Sequence, residues 1–117
     1  MKDPLGKFSR SLGDFGISAE WQEVTYQYIV LGLTPGSFFT SLFANDFVGM
    51  ALHSHPSNTW GELINLGKWL SMCAPVAAWG SYEKVEFWML KSQEERDKLC
   101  EECGLKATAW EILSTPA

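Results

Sequence analysis

Between Ser11 and Gly67 the chain has no lysine and no arginine. Over the whole sequence nine cations face fourteen carboxylates, a net charge of −5. A nonspecific grip on nucleic acid or on an anionic membrane needs surplus cations, so both functions are excluded. Cysteine is scarce as well. Three thiols, Cys73, Cys100 and Cys103, cannot all pair within one chain. The first sixteen residues are polar and glycine-containing, without the apolar stretch of a secretory signal. Together these features imply free thiols in a reducing cytoplasm. The longest apolar runs, near Tyr28–Leu33 and Phe47–Leu52, fall far short of the roughly 20 residues of a membrane span. Neither end carries a lipidation box. No dinucleotide fingerprint, P-loop, G-x-S-x-G or H-E-x-x-H is present. The expectation is a protein that is not an enzyme and takes no cofactor and no metal.

What is abundant is apolar and aromatic material. The 117 residues are 46% hydrophobic and include six tryptophans. That suits one domain with a real core, since a chain of this length buries about two-thirds of its unfolded surface. The patterning predicts a mainly α fold, a compact bundle of four to five short helices. Residues 1–17 read as a loosely ordered arm tethered by Phe8, Leu12, Phe15 and Ile17, residues 18–113 as a single helical domain, and 114–117 as a tail.

The first strong helix begins at Ser18 as N-cap and carries Trp21, Val24, Tyr28 and Leu31 on one face, with Gly32 as its stop. A second begins at Thr34, with Pro35 in the first helical position. Its stripe of Phe38, Phe39, Leu42, Phe43, Phe47, Met50 and Ala51 runs on until the loop at 53–58. A third, from 59 to 74, starts with the capping box Thr59 and Glu62 and packs through Leu63, Leu66, Leu70 and Cys73. Its glycines, Gly61 and Gly67, weaken a helix by roughly 1 kcal/mol each, which suggests close helix contact. Ser81 with Glu83 opens a helix over Tyr82–Leu90, although Lys84–Leu90 also alternates as a strand would. A second capping box, Ser92 and Glu95, opens a helix that ends at Gly104. Were both Lys84–Leu90 and residues 105–113 strands, the C-terminal third would hold a small two-stranded element.

Several residues invite a chemical reading. Cys100 and Cys103 form a C-x-x-C, but at a helix C-terminus beside two glutamates, which raises thiol pKa values and disfavours redox work; packing as small hydrophobes is the plainer role. A zinc set would need Cys73, Cys100, Cys103 and His53 or His55, without the paired knuckles of structural zinc sites. His53 and His55 have no neighbouring nucleophile. Asn45 and Asp46 interrupt an apolar stripe. A carboxylate there must be paired, capped or at a groove edge, so it either fixes helix packing or belongs to a contact site. Trp21, Trp69 and Trp88 fit helical core faces, whereas Trp60 and Trp79 flank loops and suit an interface. The candidate partner-binding residues are therefore Asn45, Asp46, Trp60 and Trp79.

Three blocks of this sequence resemble a group of small uncharacterised accessory proteins of tailed bacteriophages. They are Gly32, Pro35, Gly36, Ser37 and Phe38; Leu42, Asn45 and Asp46; and Gly80, Ser81, Glu83, Lys84, Val85 and Trp88, spanning about residues 28–88. The resemblance implies a viral source and the host cytoplasm, and no reaction. With it, the expected function is binding a host or anti-phage defence protein and modulating it by occupancy. The cation-free stretch would favour a partner with a basic surface. The partner classes are completed by no direct nucleic acid, no membrane and a homo-oligomer as an option. The alternatives are a sequestering protein for a small anionic ligand such as a nucleotide signal, and a minor virion or assembly component.

Overall fold

The computed structural model describes residues 5–54 and 60–105. They form seven α-helices and one 3-10 turn, with no strand among the described residues. The helices are α1 (Leu5–Asp14), α2 (Ala19–Ile29), α3 (Gly36–Phe43), α4 (Phe47–Leu52), α5 (Trp60–Cys73), α6 (Tyr82–Leu90) and α7 (Gln93–Glu102), with the turn at Val76–Ala78 between α5 and α6. None is long and apolar enough to cross a membrane.

The mainly helical expectation holds, with more helices than foreseen for two local reasons. The stretch read as an irregular arm contains α1, whose Phe8 and Leu12 are buried one helical turn apart. The long second helix is two, because Asn45 adopts a left-handed backbone (φ 62°) and Asp46 starts a new helix. Pro35 sits at the N-cap of α3 rather than in its first turn. Lys84–Leu90 is helical within α6, and the Ser81 hydroxyl accepts from the Lys84 amide (3.1 Å) as a cap should. Residues 106–113 and Thr59 lie outside the described residues, and with them the second candidate strand and half of the capping box on α5.

α2 is the element around which the others pack. Its Tyr28 ring stacks on Phe43 of α3 (4.8 Å between centroids) and its hydroxyl donates to the Ala78 carbonyl (2.6 Å). Burial pushes the Tyr28 phenol up from its ordinary value, so it stays a donor. Trp21 meets Phe38 and Phe39. Phe8 of α1 lies edge-on to Tyr26 and against Trp69 of α5, whose indole donates to Ser11 (2.8 Å). Trp21, Trp69 and Trp88 are all buried, as their helical spacing implies.

The C-terminal end of α2 is held by α6 and α7. Trp88 donates to the Ile29 carbonyl (3.0 Å) and Gln93 to the Val30 carbonyl (2.6 Å). Arg96, a buried cation, donates to the carbonyls of Val30 (3.2 Å), Leu31 (3.1 Å) and Lys91. These are the acceptors a helix end leaves without partners, and the positive guanidinium suits the negative pole of the helix. Gly32 follows with φ 71°, and a Cβ there would sit 2.6 Å from the guanidinium carbon. The glycine thus ends the helix and also makes room for the clamp.

Candidate functional site

α3 and α4 are joined by a sharp corner, and the corner is built by three side chains. The Asp46 carboxylate accepts from the Gly49 amide (2.9 Å), capping α4, and from the Tyr82 hydroxyl of α6 (2.5 Å). Tyr82 has one proton and spends it on Asp46, so the buried Ser41 hydroxyl, 3.1 Å away, is the donor to Tyr82. The Tyr82 hydrogen bond first, and the Gly49 amide second, hold the Asp46 carboxyl below its ordinary value. Gly49 is required here, since a Cβ would run into the Asp46 carboxylate and lie 2.9 Å from Ser41 Oγ. Asp46 is therefore spent on packing, the plainer of its two sequence-based roles.

This corner forms one wall of a cavity of about 300 Å3. Leu42, Asn45 and Asp46 come from the corner, and Phe47 and Met50 from α4. Across from them α5 contributes Trp60, Leu63, Ile64, Gly67 and Leu70, and Trp79 completes the lining from the segment after the 3-10 turn. Phe47 and Trp60 stack at the edge with centroids 6.0 Å apart. A smaller cavity of about 200 Å3 shares Met50, Trp60 and Leu63 with it. All four candidate residues, Asn45, Asp46, Trp60 and Trp79, thus line one cavity. Trp60 is exposed and Trp79 half-buried. The Trp79 indole nitrogen is buried without a hydrogen-bond partner among the described residues.

Among the described residues the lining carries no cation, and its one carboxylate is Asp46, whose two oxygens each already accept a hydrogen bond. Glu62, on the first turn of α5, accepts from the Ser18 amide (2.6 Å) and so caps α2 from a distance. The Ser18 side chain itself makes no cap hydrogen bond. Two of the five carboxylates in the cation-free stretch are therefore committed to the fold; Asp14, Glu20 and Glu23 lie exposed near α1 and α2. An anion entering the cavity would meet no counter-charge from the described residues.

The residues with metal or thiol potential do not converge. Among the described residues no three His, Cys, Asp or Glu side chains come together. His55 is outside them, and His53 ends α4, exposed. Cys100 is buried like a small hydrophobe, but Cys103, expected to pack likewise, is exposed and donates to the Cys100 carbonyl (3.2 Å). Desolvation, with Cys73 and Glu102 nearby, pushes the Cys103 thiol up, opposite to what a reactive thiolate needs.

Gly61 and Gly67 do not mark close helix contact, for a Cβ at either would meet nothing within 4 Å. Gly67 instead leaves space in the cavity wall. Sequence reasoning missed Phe47 and Ile64 as site residues: the spacing puts Phe47 in the apolar stripe of the second helix and gives Ile64 no role, and it is the packing that leaves both exposed. No protein-family model, no curated protein and no solved structure matches the chain.

Proposed function

We propose that this chain is a small viral accessory protein that binds a host or anti-phage defence protein and modulates it by occupancy, without catalysis. The observation that carries this is the joining of the four candidate residues into one largely apolar, aromatic-edged groove between α4 and α5. Stacked aromatics at the rim of an apolar depression are the composition of binding hot spots. The host cytoplasm is the setting this reading implies. Sequestration of an anionic nucleotide fits less well, since the lining offers no cation.

The partner would seat apolar side chains in the groove beside the stacked Phe47 and Trp60, while the exposed Asp14, Glu20 and Glu23 steer its approach. The test is capture from infected bacteria followed by titration of the purified pair. With Trp60→Ala, affinity should fall by at least tenfold, which is about 1.4 kcal/mol, while the far-ultraviolet dichroism stays as in the wild type. Unaided turnover of a substrate, or a captured protein that binds Trp60→Ala and Ile64→Glu as tightly as wild type, would overturn the reading.

A further inference from the structure

Asp46, Phe47 and Trp60 border one cavity. Phe47 follows Asp46 at the start of α4 and stacks on Trp60 of α5, yet the two rings remain 61% and 63% exposed. Trp79, half-buried, adds a third aromatic side chain to the lining. The hydrogen bonds that tie Asp46 into the corner do not remove its charge. They hold its carboxyl below the ordinary carboxylate value, so it is ionised at neutral pH. Its two oxygens accept one hydrogen bond each, from Tyr82 and from Gly49, whereas a carboxylate offers about four acceptor sites. Asp46 is only partly buried, so it has room for a further donor.

We propose that the groove between α4 and α5 takes an arginine side chain presented by the protein partner, its guanidinium lying on Trp60 and pairing with Asp46. Charge complementarity selects this occupant. Anything that fills the groove takes water away from the Asp46 carboxylate. A wholly apolar group would leave that charge covered and uncompensated, which is costly. An anion would add repulsion, with no lysine or arginine in the lining among the described residues to offset it. A cation on an apolar stem meets both conditions. Its methylenes rest on Met50, Leu63 and Ile64, its charge neutralises Asp46, and the exposed ring of Trp60 attracts it through the aromatic quadrupole. Arginine suits the site better than lysine. A planar guanidinium stacks on a ring face while its edge offers a fork to a carboxylate, and it is less strongly hydrated than an ammonium.

The proposal rests on the functional reading only for the source of the arginine. It gives the partner's basic surface a fixed anchor, distinct from long-range steering. The test is an NMR titration of the full chain at constant ionic strength with two probes, Nα-acetyl-arginine amide and Nα-acetyl-citrulline amide, which share a shape and differ in charge. Concentrations up to about 50 mM cover the millimolar affinities of single residues. The indole signals of Trp60 and Trp79 should shift saturably, with the arginine probe binding roughly fivefold more tightly than the citrulline probe. Asp46→Asn keeps a capping acceptor for α4 and removes the charge; Trp60→Leu keeps an apolar side chain and removes the ring. Each should abolish the preference between the probes, with dichroism unchanged. Should Asp46→Asn fail to fold, Trp60→Leu, at an exposed position, carries the test alone. No saturable shift, equal affinity for the two probes, or a preference that survives in every folded variant would overturn the proposal. A captured partner that loses affinity on Trp60→Ala but binds Asp46→Asn like wild type would overturn the arginine assignment alone. Arginine-selective binding by the free chain, with no partner that depends on Trp60, would uphold the chemistry of the site and count against the functional reading instead.

Discussion

Arg96 shows how a single side chain can anchor a helix end. Its partners in the clamp are three main-chain carbonyls, two just past the end of α2 and one just past the end of α6, together with the Gln93 side chain (3.1 Å). Removing it strands buried acceptors, so Arg96→Met should cost about 3 kcal/mol, read as a lower urea midpoint at unchanged slope. Lysine would not substitute, because one ammonium lacks the planar fork that spans separate acceptors. Asp46 makes a second prediction. Its folded-state pKa lies below the unfolded value, so its contribution is present above the ordinary carboxylate range and is lost as pH falls through the folded value. The melting temperature of the wild type should therefore decline more steeply below about pH 4 than that of Tyr82→Phe, which lacks the largest cause of the shift. Parallel curves for the two proteins would refute this. Arg96 was hidden in the sequence because it sits in an ordinary-looking charged helix; nothing local distinguishes it from the exposed Lys98.

Among the elements, α4 and α5 differ in what holds them. α5 buries Leu66, Trp69 and Leu70 in the core. α4 buries nothing and depends on its cap, on α3 and on Tyr82. Amide hydrogen exchange should accordingly show the α4 amides opening well before those of α2 and α5; equal protection across the three would show that the cap alone is sufficient. In α5 the glycine at 67 carries the usual helical penalty without a packing reason. Gly67→Ala should stabilise the protein by about 0.5–1 kcal/mol in a thermal or urea melt, while narrowing the groove. The caps of α6 and α7 were legible, since a serine three residues before the amide that donates to it is a local signal that needs no tertiary partner. The break between α3 and α4 was not legible as a break. Asn45 and Asp46 stood out, but the stripe of apolar residues continues across them, and the hydrogen bond from Tyr82, thirty-six residues away, ties that corner to α6.

At the scale of the whole molecule, the acidic surplus and the groove are separate features. Among the described residues Asp46 is the groove's one charge, so raising salt from about 0.05 to 0.5 M should slow an association steered by Asp14, Glu20 and Glu23 but leave the dissociation rate little changed; a dissociation rate that rises steeply with salt would reassign the interface to the α1–α2 surface. The amino-acid order by itself determined the helical class, the identity of the three core tryptophans and most helix ends, because periodicity, capping residues and glycine stops act within one or two turns of chain. It also singled out Asn45, Asp46, Trp60 and Trp79, by their poor fit to a buried stripe or their place beside loops. Which of these are spent on the fold and which face a groove was decided by tertiary structure alone. Asp46 is satisfied by Tyr82, Glu62 by Ser18 and the end of α2 by Arg96, and such pairings depend on how helices are brought together across distances that no local pattern encodes.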